Sequence, residues 1–252
     1  MSHDTKCLLL GKCVEACPVA AITLDRREGR KIDRTKCNLC FQCVEACSTR
    51  ALSRIGEYMT VEQVMAEIER DELFYHRSGG GVTISGGEPL LQWKFVYRLL
   101  KACKQRHLHT ALDTCGYARW PIVSKVLEYV DLVLYDIKHM SPKPHREMTG
   151  KSNQLILNNV RMMSPQVNVW LRVPVIPGIN DSEENLTKLS ELGREITVEK
   201  VSLLPYHKLA EEKYRQLGKP YPMAHLEPPS KEHLQQIREL IESFGLKVTI
   251  GS

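Results

Sequence analysis

From Thr60 onward the chain alternates between short apolar runs and longer stretches with a helical hydrophobic period. The short runs are Val82–Ser85, His109–Asp113, Leu132–Lys138, Val167–Val175, Lys200–Pro205 and Lys247–Ile250. They are rich in Val, Ile and Leu, and several are almost continuously apolar, as strands buried on both faces are. Between them, Leu91–Gln105 places Leu91, Phe95, Leu99 and Cys103 on one helical stripe. Ser182–Arg194 and Ser230–Ser243 each open on a serine suited to capping. Strand–helix alternation predicts right-handed crossovers and a parallel sheet or barrel.

In parallel α/β folds chemistry collects at the carboxyl ends of strands. Here those ends read Ser85-Gly86-Gly87-Glu88-Pro89, Asp113-Thr114-Cys115-Gly116, Asp136-Ile137-Lys138, Arg172-Val173-Pro174 and Leu204-Pro205-Tyr206-His207. Five polar strand ends in chain order predict one cavity lined from several strands.

The amino-terminal segment has a different character. Seven of the nine cysteines fall between Cys7 and Cys47, in two copies of one pattern. The first is Cys7-x5-Cys13-x3-Cys17-Pro18; the second is Cys37-x2-Cys40-x2-Cys43-x3-Cys47. Both contain Cys-Val-Glu-Ala-Cys, and the offset from Cys13 to Cys43 is 30 residues. Polar residues Asp25–Arg30 read as the turn between copies. This divides the chain into residues 1–54 and 55–252.

A C-x2-C-x2-C loop wraps three irons of a cube, and a distant Cys before Pro supplies the fourth ligand from the other repeat. The spacing assigns Cys37, Cys40, Cys43 and Cys17 to one [4Fe–4S] cluster. Zinc would call for two C-x2-C pairs on a longer loop, and only one such run is present. The partner site has Cys7, Cys13 and Cys47, with Leu10 where the fourth thiolate would stand. Three thiolates fit a [3Fe–4S] cluster, a cube with one non-cysteine ligand, or an empty site. Cys103 reads as a small buried hydrophobe and Cys115 as a bystander near the cavity.

Composition adds little. The formal charge of +5, counted with every cysteine neutral, would be largely cancelled by thiolate clusters, so nothing points to nucleic acid. No apolar run approaches the ~20 residues of a membrane helix. The polar start and the odd cysteine total speak against a signal peptide and a disulfide framework, which makes the cytoplasm the expected compartment.

The run Arg77-Ser78-Gly79-Gly80-Gly81-Val82-Thr83-Ile84-Ser85-Gly86-Gly87-Glu88-Pro89 closely resembles the signature of glycyl-radical-enzyme activating enzymes, which are radical S-adenosylmethionine (SAM) proteins. Asp113-Thr114, Asp136-Ile137-Lys138, Trp170-Leu171-Arg172-Val173-Pro174 and Leu203-Leu204-Pro205-Tyr206-His207 resemble the later motifs in order. The resemblance implies a (β/α)6 radical SAM barrel with a two-cluster ferredoxin-like region at its amino end. It also implies reductive cleavage of SAM, with hydrogen abstraction from a glycine of a partner enzyme of the pyruvate formate-lyase or diol-dehydratase type. A flavodoxin or ferredoxin would supply the electron.

By the same resemblance, Gly87, Asp136, Ile137, Lys138, Arg172 and His207 would contact SAM. Gly87 would use backbone atoms, and Arg172 would clamp a carboxylate. Asp113, Thr114 and Asp136 would form a monovalent-cation site; for Asp136 a supporting ion pair is the competing reading.

The family's C-x3-C-x2-C loop, which carries the cluster that cleaves SAM, is absent from these 252 residues. No catalytic residue is therefore assigned. The expectation is a barrel without its first strand, from a late start codon or a truncated gene. The alternative is an iron–sulfur electron-transfer protein or an inactive docking homologue.

Overall fold

The computed structural model describes residues 2–251. Contacts divide it into two units, residues 2–58 with 207–226, and residues 59–206 with 227–251. The segment 207–226 therefore groups with the cysteine-rich unit although it follows a strand of the other.

In chain order the elements are α1 (Lys12–Glu15), β1 (Ile22–Asp25), β2 (Gly29–Ile32), α2 (Gln42–Glu45), α3 (Val61–Glu69), α4 (Glu72–Ser78), β3 (Gly81–Ile84), α5 (Trp93–Gln105), β4 (His109–Thr114) and α6 (Trp120–Leu127). There follow β5 (Leu132–Asp136), α7 (Pro142–Thr149), α8 (Gln154–Met163), β6 (Asn168–Val175), α9 (Glu183–Glu195), β7 (Lys200–Pro205), α10 (Leu209–Gln216), α11 (Lys231–Glu242) and β8 (Val248–Ile250).

In the cysteine-rich unit the duplication extends to the backbone. Helices α1 and α2 stand 30 residues apart, as do the left-handed positions Leu9 and Leu39, Gly11 and Phe41, and Ala20 and Arg50. The turn bonds repeat too: Val14 N–H donates to Gly11 O at 2.8 Å, and Val44 N–H to Phe41 O at 2.8 Å. Residues 26–28 turn the β1–β2 hairpin, so the polar stretch between the copies is partly strand. The buried core here is small: Cys13, Ile22 and Leu52, with Cys17, Cys43 and Cys47 among the residues packed on it.

The second unit is a six-stranded parallel sheet in the order β3-β4-β5-β6-β7-β8. All six predicted strands are present. One face is dry: Val133, Tyr135, Leu171, Val173, Val201 and Leu203 pack on helix residues such as Val126, Val160, Leu189 and Ile241. The other face carries half-exposed Asp113, Leu134, Asp136, Trp170 and Arg172. Burial on both faces therefore does not hold, because this second face is lined by charged side chains that need water or a ligand.

Helix starts follow the capping rule. Ser182 and Ser230 accept from Asn185 N–H and His233 N–H, and Thr60 with Gln63 forms a capping box. The predicted stripe of α5 needs correction at one end. Leu91 lies in a 3-10 turn and is 79% exposed, while Val96, Leu99, Leu100 and Cys103 form the buried face. Among the described residues no helix is long and apolar enough to cross a membrane.

Candidate functional site

The seven clustered cysteines fall into two sets in space. Cys17, Cys37, Cys40 and Cys43 line one hollow. Cys7, Cys13 and Cys47 line another, beside Leu10 and Arg30. Each set takes a thiol from the opposite repeat, Cys17 in one and Cys47 in the other, which is the crossed arrangement the spacing predicts. All nine cysteines are free thiols.

Burial pushes the Cys43 thiol up, and the neighbouring Cys17, Cys37 and Cys40 push it further. Burial likewise raises Cys13, against the pull of Arg30. Burial also acts on Cys47, but donation from Thr49 and from the amides of Leu52, Ala51 and Thr49 brings its thiol below the ordinary range. Among the described residues no three His, Cys, Asp or Glu side chains are placed to hold a single ion. The thiols instead ring hollows, so the donor set suits a sulfide-bridged cluster held from its corners.

In the sheet unit, charged side chains meet at the carboxyl ends of β4, β5 and β6. Arg172 Nη1 donates to Asp113 Oδ2 at 2.7 Å, and Ser85 Oγ donates to the same oxygen at 3.1 Å. Arg172 Nε lies 3.3 Å from Asp136 Oδ1, and Lys138 Nζ donates to Asp136 Oδ2 at 3.2 Å. Pairing of β5 with β6 sets Asp136 opposite Arg172. The ion pair across that register is close but lacks hydrogen-bond alignment, and Asp136 Oδ1 and Arg172 Nε are buried without a hydrogen-bond partner. The two atoms are held by charge alone at 3.3 Å, so each keeps hydrogen-bonding capacity. A zwitterionic ligand that re-aims the guanidinium would satisfy it.

Gly87 is exposed beside this constellation, and a Cβ on it would meet nothing within 4 Å. The space next to its backbone is free for a ligand to approach. Both observations fit a carboxylate- and amine-bearing cofactor.

Glu88 ties the glycine turn to β4. Its Oε1 accepts from Leu90 N–H at 3.1 Å and from Thr114 Oγ1 at 2.6 Å. Its Oε2 accepts from Cys115 N–H and from the Cys115 thiol, each at 3.0 Å. Cys115 thus helps anchor the turn carboxylate to the end of β4. Burial, then the hydrogen bond and charge of Glu88, push its thiol up to about 11. Sequence reasoning missed this contact because it joins residues 27 apart through strand adjacency. The signal available was Glu88 itself, a carboxylate inside a glycine turn.

The other predicted residues are placed as follows. Ile137 is 2% exposed in the core, so its side chain does not line the site; only Asp136 and Lys138 of that run do. Asp113 and Asp136 both turn to Arg172, and the Thr114 hydroxyl turns to Glu88. His207 is exposed and opens the segment grouped with the cysteine-rich unit. Cys103 is fully buried, with its thiol 3.7 Å from Met65 Sδ.

Fold and site together define an α/β protein with a charged site at parallel strand ends and a duplicated cysteine unit. Residues 36–190 match the radical SAM superfamily, and residues 5–54 match a 4Fe-4S dicluster domain. The isethionate sulfite-lyase activating enzyme of Oleidesulfovibrio alaskensis is 45% identical over 231 residues, covering 88% of this chain and 74% of that protein. The choline trimethylamine-lyase activating enzyme of the same organism is 40% identical over 254 residues, covering 98% and 82%. A solved domain of a pyruvate-formate lyase-activating enzyme from Bacteroides vulgatus superposes with a TM-score of 0.59 at 34% identity, covering 69% of this chain and 99% of that one. The chain belongs to the radical SAM superfamily, within the activating enzymes of glycyl-radical enzymes. Its cofactors are accordingly a [4Fe–4S] cluster and SAM.

Proposed function

We propose that Gly87, Asp136, Lys138 and Arg172 seat SAM, and that the two cysteine hollows hold iron–sulfur clusters that relay electrons from a flavodoxin or ferredoxin. With a cluster held by a C-x3-C-x2-C loop, SAM seated here would supply, on one-electron reduction, the hydrogen-abstracting radical that activates the partner's glycine. The chain's own residues bind and orient. Arg172 and Lys138 offer cations to the methionyl carboxylate, Arg172 in a two-pronged geometry. Asp136 and the Gly87 backbone receive the amino group. Glu88 holds the turn that presents Gly87. Cys17, Cys37, Cys40 and Cys43 ligate the complete cluster; Cys7, Cys13 and Cys47 ligate the other.

One observation carries the seating of SAM: the unmatched Asp136 Oδ1 and Arg172 Nε meet across β5 and β6 beside an open glycine turn. The partner is read as a lyase or dehydratase of the glycyl-radical class, supported by relatives named for isethionate sulfite-lyase and choline trimethylamine-lyase.

The test has two arms. Equilibrium dialysis of SAM against the anaerobic protein should show Arg172→Ala binding about 10–100-fold more weakly than the parent, the value of one charge-assisted pair. Unchanged affinity would refute the seating. Glycyl-radical formation is then read by electron paramagnetic resonance with a lyase partner, reductant and SAM. It is compared between the 252 residues alone and the same chain joined to a C-x3-C-x2-C segment from a relative. A signal only in the joined protein supports the activating role; no signal in either refutes it.

A further inference from the structure

We propose that the two cysteine hollows are electrochemically unequal, the Cys7–Cys13–Cys47 hollow accepting its electron at the higher potential. The proposal rests on the reading that both hollows hold iron–sulfur clusters. The potential of such a cluster follows its net charge, the hydrogen bonds to its sulfurs and its surroundings. The duplication allows the hollows to be compared position by position, and three differences point the same way.

The first is ligand charge. The counterpart of Cys40 is Leu10, 58% exposed and lining the first hollow. That hollow has one thiolate fewer, so a cube seated there with a neutral fourth ligand is less negative by one charge and easier to reduce.

The second is a fixed cation. Arg30 Nη1 donates to Cys7 Sγ at 3.4 Å, while Nη2 donates to Ser2 Oγ at 2.7 Å and Ala51 O at 2.9 Å. These anchors hold the guanidinium against the thiol. Arg34 borders the other hollow but is exposed, where water and salt screen it.

The third is a hydroxyl. Thr49 Oγ1 lies 3.6 Å from Cys47 Sγ, and its counterpart beside Cys17 is Val19, which lines the complete hollow. Ile22, Ile32, Leu39, Phe41, Val44 and Leu52 extend that apolar lining, against Leu8, Leu9, Leu10 and Leu24 in the first hollow. Apolar surroundings disfavour the added negative charge of the reduced state.

The experiment is a potentiometric titration of the anaerobically reconstituted full chain with dithionite. Each wave passes one electron from dithionite to one cluster, followed by electron paramagnetic resonance. Two waves are expected. Arg30→Gln should move only the upper wave, to lower potential, by on the order of tenfold in the reduction equilibrium, about 59 mV for one electron. Thr49→Val should move the same wave in the same direction by less. Leu10→Cys adds a ligand and leaves the Arg30 and Thr49 side chains in place, and should bring the upper wave toward the lower even if Arg30→Gln folds poorly.

A single wave, a shift confined to the lower wave, an upper wave indifferent to Leu10→Cys, or loading of only one cluster would overturn the proposal. Iron and sulfide analysis of the same sample separates the two readings. Protein that loads neither cluster refutes the ligand assignment itself. Two clusters of equal potential refute only the inequality.

Discussion

The cysteine-rich unit and the sheet unit solve the problem of staying folded in different ways. The first buries little beyond Cys13, Ile22 and Leu52, and several of the residues around them are thiols. The second closes a core from Leu90 to Val248 over β4 to β8, with a smaller cluster of Met65, Leu99, Cys103 and Leu108 packed by Val82 and Ile84 of β3. A unit with so small a core needs covalent or metal support, whereas the sheet is held by apolar packing and leaves its other face for chemistry. The same side chains that would bind clusters therefore also organise the first unit, while in the second the site residues sit on a scaffold that does not depend on them.

The sharpest way to break this comparison is to strip iron anaerobically with a chelator. The cysteine-rich unit should lose structure and become sensitive to protease, while residues 59–206 remain protected and keep their circular dichroism. Joint collapse of both units would contradict the contrast.

Next in size is Gly116→Ala. Gly116 has φ +68, and a Cβ there would overlap the buried Tyr135 ring and hydroxyl. A loss of about 3 kcal/mol should appear in denaturant melts of the sheet unit, with the cluster absorption unchanged.

Glu88→Gln follows. The carboxylate accepts four donors, from Leu90, Thr114 and Cys115. Removing its charge should cost about 1–2 kcal/mol and weaken SAM binding. In the parent, Cys115 should resist alkylation near pH 8, since its thiol is pushed up to about 11; Glu88→Gln should speed that reaction.

The smallest effect concerns pH. Asp131 is partly buried, which raises its carboxyl, but Lys104 at 2.7 Å and the amide and hydroxyl of Thr110 outweigh this and hold it below the ordinary range. A lowered folded value stabilises above the unfolded pKa of about 3.9, and that contribution disappears as the pH falls through the folded value. Asp131→Asn should flatten the acid limb of stability by about 1 kcal/mol or less.

Much of this was legible in the chain. The 30-residue offset announced both the pairing of cysteines across repeats and the repeated backbone, because each copy must bend the same way around its hollow. The six strands were legible from their apolar runs, and Asp136 with Lys138 from strand alternation. That same alternation turns the Ile137 side chain into the core. The attachment of residues 207–226 to the cysteine-rich unit was not legible, since helical periodicity says nothing about which body a helix joins. Nor was the Glu88–Cys115 contact, which only strand pairing creates.

The central claim is that seven thiols are shared crosswise between two iron–sulfur clusters. Its most direct measurement is iron and acid-labile sulfide per chain after anaerobic reconstitution, on the parent and on Cys40→Ala. The account predicts about 7–8 irons in the parent and loss of one cluster's signal, with the other intact, in the variant. Fewer than about 4 irons together with bound zinc, or a reduced spectrum indifferent to Cys40→Ala, would contradict it.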